Sequence, residues 1–190
     1  MSTEELGPRQ RAGATKRKRT NLWILDVARA LFDEHGYHGV TRDDVIKGAG
    51  TSAATLQKHY KTKQALAIAA YAPPVLTLMA SPEPMPAIFI RELADFLVAH
   101  PTMAVALLPL SRDPRTQSED DEATYVVSFR DLVEFIGKLL VQSTDAHAQD
   151  SVAMANDTAD FALSGLLTWI VQHPKRSGKD AADLTLTHLL

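Results

Sequence analysis

Between Val40 and Leu66 the chain runs VTRDDVIKGAGTSAATLQKHYKTKQAL, two helix-length segments separated by a glycine turn, and no other stretch limits the fold as much. Thr41 offers a hydroxyl to the open N–H groups of a helix start. Asp44, three residues on, can return its carboxylate to the Thr41 amide and favours the positive end of the helix dipole. A helix is therefore predicted from Arg42. It is short, because Gly48 weakens it and Gly50 can enter the left-handed conformation that ends helices without steric cost. Ser52 supplies a second N-cap, so a new helix begins at Ala53 after a turn of about three residues. Val45, Ile46, Ala49 and Leu56 are the apolar groups available to clamp the pair. This is the layout of a helix-turn-helix.

The residues left outside the clamp define a candidate surface for double-stranded DNA. Thr51, Ser52, Ala53, Thr55 and Gln57 lie on or beside the second helix, where short polar side chains can meet base edges in a major groove. Lys58, His59, Tyr60 and Lys63 follow at its end and are expected on phosphates, with Thr41 and Arg42 at the start of the first helix completing the set. The helix beginning at Lys63 adds free N–H groups that favour an anion. Upstream, Arg9, Arg11, Lys16, Arg17, Lys18 and Arg19 stand among Gly, Ala, Thr and Pro, a composition too poor in apolar groups for a core. Residues 1–19 are expected to form a disordered basic arm suited to phosphates or a minor groove.

Charge is segregated along the chain. Residues 1–63 hold twelve Lys and Arg against seven Asp and Glu, and the remainder holds eight against sixteen, which together make the net −3. A basic head attracts a polyanion and an acidic body repels it, so nucleic acid should meet the amino-terminal end only.

From Thr20 to about Leu66 the residues resemble the amino-terminal domain of the tetracycline-repressor (TetR-like) family of bacterial transcriptional regulators. The resemblance rests on Ile24-Leu25, Ala28, Leu31-Phe32, Gly36-Tyr37, Thr41, Ala49-Gly50, Ser52, Thr55-Leu56, His59-Tyr60, Lys63 and Leu66 in order. Each mark is weak alone; the series at these spacings is specific. It implies an all-α homodimer, with a three-helix DNA-binding domain over 20–66 and a larger helical ligand-binding and dimerisation domain over 67–190. It further implies an inverted-repeat operator, a small-molecule effector and, in most relatives, repression. Four positions depart from the family pattern: Gln57 replaces a usual Tyr, Ile46 a small Ala, Ala54 a common Gly and Thr51 a usual Val.

Helical periodicity continues on both sides of this unit. A first helix is predicted over about Thr20 to His35, burying Ile24, Leu25, Ala28, Leu31 and Phe32, with Gly36 ending it. The helix from Lys63 meets Pro73-Pro74, which should end or kink it ahead of the proline-rich segment from Ser81 to Pro86. Further helices are expected over Ala87–Ala99 (Ile88, Leu93, Phe96 and Leu97 on one side), Pro101–Leu108, Thr124–Ser143, Ser151–His173 and Ala181–Leu190, with an acidic loop over Ser111–Glu122. No strand periodicity stands out, so the fold class is all-α. Phe89, Phe96, Met103, Phe129, Phe161 and Trp169 are candidates for an effector pocket, although aromatic residues and Met at helical spacing more often form plain core. Ala155, Ala159, Ala162, Ser164 and Gly165 with Leu184, Leu186 and Leu189 are candidates for a dimer face.

Other classes find little support. The chain lacks His-Glu-x-x-His, Gly-x-Ser-x-Gly and a phosphate-cradling glycine loop, so no catalytic residue, metal ligand or cofactor is assigned. Asp33, Glu34, His35 and His38 read as charges at a helix end. Cysteine is absent, no apolar run spans a bilayer, and the basic polar amino terminus is unlike a signal peptide, from which no membrane partner and a cytoplasmic location are expected. A second class stays open: a helical ligand-binding or protein-interaction module that has lost specific DNA binding.

Overall fold

A computed structural model of the chain describes residues 8–81, 85–112, 127–143 and 149–189. All regular structure among them is helical. The elements are α1 (Pro8–Gly39), α2 (Arg42–Ala49), α3 (Ala53–His59), α4 (Lys63–Met79), α5 (Pro86–Ala99), α6 (Pro101–Arg112), α7 (Phe129–Ser143), α8 (Gln149–Gln172) and α9 (Gly178–Leu189).

The head is built by α1 to α3 on the start of α4. Ile24, Leu25, Ala28 and Phe32 of α1 bury one stripe against Val40, Val45, Leu56, Tyr60 and Leu66. Helix α2 starts as its capping residues require. The Thr41 hydroxyl accepts the Asp44 N–H at 3.2 Å, and the Thr41 N–H donates to the Asp44 carboxylate at 2.8 Å. It ends at Gly50 (φ 59°, ψ 34°), where the Thr51 N–H donates to the Ile46 carbonyl at 3.1 Å and the Gly50 N–H to the Lys47 carbonyl at 3.2 Å. Those two bonds form the closing pattern that a left-handed residue permits at a helix end. Gly48 has a further reason to be glycine: a Cβ there would lie 2.9 Å from Val27 Cγ1, so its absence lets α2 settle onto α1. Ser52 caps α3 by accepting the Thr55 N–H at 3.1 Å.

Helix α4 joins head to body and is buried almost all round from Ala65 to Ala72. It touches α1, α5 and α6, while α8 packs on α6, α7 and α9, and α9 lies on α5. One continuous core runs through both parts. Ser128 and Ser177 open α7 and α9 with the same reciprocal bonds to Asp131 and Asp180 that Thr41 makes with Asp44.

Several expectations need correction. The basic arm is helical from Pro8 onward, because proline suits a first helical turn and Ala, Gln, Lys and Arg are good helix formers; residues 1–7 lie outside the described set. Gly36 does interrupt α1 (φ 69°, ψ 171°), but helical turns resume as far as Gly39. Pro73-Pro74 do not end α4, which continues to Met79. Helix α6 likewise runs past Leu108, through Pro109, to Arg112. Ile88 is about half exposed, and the buried side of α5 is instead Phe89, Ile90, Leu93, Ala94 and Leu97. The expected acidic loop lies outside the described residues from position 113 onward. No single helix among the described residues is long and apolar enough to cross a membrane.

Candidate nucleic-acid interface

Helix α3 is clamped by a single side chain, Leu56, which is wholly buried, leaving the rest of a seven-residue helix turned outward. Ser52, Ala53, Ala54, Gln57 and Lys58 are exposed, and Thr51, Thr55 and His59 are half-buried. The sequence reading passed over Ala54, which shares this face. The small residues at 53 and 54 leave the leading end of α3 free of bulk, as close approach to base edges requires.

The basic segment meets α3 as a continuation of α1. Lys16, Arg17 and Thr20 line one side of a groove of about 240 Å³ whose other side is Thr55, Lys58 and His59. Lys18 and Arg19 are exposed on the same helical stretch, and Arg19 lines a second groove with Trp23, Gly50 and Thr51. Two turns of α1 and the end of α3 thus form one cationic border, suited to phosphates on either side of a groove.

Four residues expected at DNA from the sequence make bonds within the head. Tyr60 is 3 % exposed and donates its hydroxyl to the Asn21 side-chain oxygen at 2.9 Å; burial pushes its ionisation up, so it remains a neutral donor. Lys63 donates to the Val40 carbonyl at 2.8 Å and lies 4.5 Å from the centre of the Tyr37 ring. Arg42 donates to the Tyr60 carbonyl at 2.8 Å and to the Gln57 side-chain oxygen at 2.7 Å. The Thr41 hydroxyl is committed to Asp44. Carbonyls at helix ends need donors, and these long cations supply them just past the ends of α1 and α3. Arg42 thus holds the Gln57 oxygen, which leaves the two donors of its amide NH2 for other partners.

Trp23 and Asn21 were not identified as site residues. Trp23 is 55 % exposed, yet its indole N–H donates to the Ala49 carbonyl at 3.1 Å, fastening α1 to the end of α2. Exposed Leu22 lines the same groove beside it. Apolar residues beside a basic stretch give no periodic signal, which is why the sequence did not mark them.

The six candidate effector residues do not converge. Phe89, Met103 and Phe129 are buried in the body, with the Phe89 ring edge-on to Phe135 at 4.8 Å. Phe96 is half-buried against His100 at the end of α5. Phe161 is 70 % exposed and, with Trp169, lines an outer groove of about 400 Å³ between α8 and α9. Of the residues expected on a dimer face, Ala159, Ala162 and Leu186 are buried inside, whereas Leu184 is exposed; the Leu189 side chain lies outside the described set. Val152, Met154 and Phe161 are the large apolar groups that α8 turns outward. Asp33, read as part of a charge cluster, instead accepts from the Tyr71 hydroxyl at 2.7 Å and stands 3.3 Å from His100 Nδ1.

Residues 24–70 match the family model described as bacterial regulatory proteins, tetR family. No curated protein sequence matches the chain. Among solved structures, FadR of Bacillus subtilis in complex with stearoyl-CoA superposes with a TM-score of 0.52 at 16 % identity, covering 88 % of this chain and 95 % of that one. GusR of Salmonella enterica gives 0.51 at 17 % identity, over 90 % and 95 % of the two chains. A TetR-family transcriptional regulator from Mesorhizobium loti MAFF303099 gives 0.50 at 14 % identity, over 91 % and 94 %. Such identities speak to fold alone. Residues 24–70 of this protein are thus similar in sequence to the tetR family of bacterial regulatory proteins, and the chain shares its fold with the regulators named above.

Proposed function

We propose that the chain acts as a homodimeric repressor that binds an inverted-repeat operator and leaves it when a small molecule occupies the body. The observation that carries the DNA half is the shared border of Lys16, Arg17, Lys58 and His59 around an outward-facing α3. Two such helices in successive major grooves lie about 34–36 Å apart, which demands a two-fold operator. Lys58, His59 and the basic turns of α1 hold phosphates; Thr51, Ala53, Thr55 and the Gln57 amide address bases. The apolar side chains exposed on α8 and α9 support a self-complementary contact between two copies. The effector is placed in the helical body, and the reading is supported by FadR, a regulator of the same fold that is found in complex with stearoyl-CoA. By linkage, an effector that weakens DNA binding is itself weakened by DNA to the same degree.

The test is a mobility shift on duplex upstream of the protein's own coding region, followed by release with molecules that co-purify with it. Retarded duplex released by one of them supports the switch. Retarded duplex that no bound molecule releases removes the switch and leaves the DNA reading. Failure to retard any genomic fragment at low ionic strength transfers the protein to the rival class, a helical module without specific DNA binding, which the Gln57 and Ile46 departures keep open.

A further inference from the structure

Helix α4 contains a flaw that α1 repairs. In a regular α-helix the N–H of residue 74 donates to the carbonyl of residue 70; Pro74 has no N–H, and its ring crowds that carbonyl. Ala70 is fully buried, so water cannot replace the missing donor. Arg29 of α1 does so: its Nε and Nη2 both donate to the Ala70 carbonyl, at 2.8 and 2.6 Å.

One turn further along α1, Asp33 accepts the hydroxyl of Tyr71, the next residue of α4, at 2.7 Å, and its carboxylate stands 3.3 Å from His100 Nδ1 between α5 and α6. The Arg29 guanidinium also lies 5.9 Å from the Tyr71 ring centre. Two α1 side chains one turn apart therefore grip two consecutive residues of α4. Toward its other end, α1 holds the helix-turn-helix through Trp23 on Ala49 and Asn21 on Tyr60. A shift of α4 at the proline pair reaches α2 and α3 through α1 as well as through the start of α4 itself.

We infer that Arg29 is a positioning residue: by capping the carbonyl that Pro74 leaves open, it ties α1 to α4 and sets the angle at which the DNA-reading head stands on the body. The cap stands on the bonds described; the positioning of a DNA-reading head rests on the proposed function.

A double-mutant cycle on the full chain separates the two. Pro74→Ala returns an N–H to the Ala70 carbonyl from within α4. Arg29→Ala should lower the thermal midpoint by several degrees alone and by less than half as much in the Pro74→Ala protein. Equal losses in both backgrounds overturn the cap. Affinity is then read on the duplex that wild type retains from a random-sequence pool. Arg29→Ala should bind at least tenfold more weakly, and Arg29→Ala/Pro74→Ala should remain at least fivefold weak although its stability has returned, because the tie to α1 is still missing. Affinity that returns together with stability, or never falls, overturns the positioning role. If Arg29→Ala does not fold, Arg29→Lys is run through the same cycle, with its single ammonium expected to give the same pattern at reduced size. If wild type retains no duplex, the DNA reading fails and the stability cycle alone decides the cap.

Discussion

The outer face of α3 and the outer face of α8 with α9 are both left uncovered by the chain's own core, and their chemistry is opposite. The first buries one leucine and exposes hydroxyl, amide and cationic groups beside the basic turns of α1. The second exposes Val152, Met154, Phe161 and Leu184. Water solvates the α3 face well, so that surface needs no partner to be stable, and its charge selects a polyanion. Leaving the α8–α9 face in water is unfavourable, and burying it needs a surface of the same kind. An exposed face can thus signal two unlike partners, and the side chains on it decide which.

The largest effect that sharpens this contrast is expected inside the head. Leu56→Ala removes the one apolar anchor of α3 and should cost about 2–5 kcal/mol by chemical denaturation. DNA binding should vanish with it while self-association persists, because the α8–α9 face is untouched. Phe161→Glu acts on the other side: sedimentation should show monomers at concentrations where wild type is dimeric, and operator affinity should fall at least tenfold through loss of the paired head. A dimer that survives both Phe161→Glu and Met154→Glu would break the contrast by removing the body face from the assembly. Gly50→Ala is next, at about 1–2 kcal/mol, since a Cβ in the left-handed conformation is strained although nothing occupies the space around it. A thermal melt of Gly50→Ala should show a midpoint below that of wild type.

The smallest effect is a pH dependence. The Thr41 hydroxyl, and after it the Thr41 amide, hold the Asp44 carboxyl below its ordinary value of 3.8. A depressed carboxyl contributes stability that is complete above its unfolded value and disappears as pH falls through the folded one. Wild-type stability should therefore drop on acidification below about pH 4, in the carboxylate range, and part of that drop should be absent from Asp44→Asn, measured by urea titration at each pH.

The turn between α2 and α3 was legible because its determinants are local. Thr41, Asp44, Gly50 and Ser52 act within four residues of themselves, so their spacing carries the geometry. The roles of Arg42, Tyr60 and Lys63 were not legible, because each depends on which distant carbonyl or side chain needs a partner after folding. Pro73-Pro74 are the sharpest instance. Local rules predict an end or a kink; the helix does not end, and Arg29, 41 residues upstream of Ala70, supplies a donor. The arm was misread for a related reason: its composition excludes a core, but residues 8–19 need none when they prolong a helix already anchored by Ile24 and Ala28.

The central claim, that α3 and the basic turns of α1 form one surface for duplex DNA, is tested most directly by the salt dependence of binding to random-sequence duplex from about 50 to about 200 mM salt. Log affinity should fall linearly with log salt, by about 0.9 per phosphate neutralised, and the slope should flatten when Lys16, Arg17 and Lys58 are changed together to Ala. A slope near zero in wild type, or one that the triple substitution leaves unchanged, contradicts it.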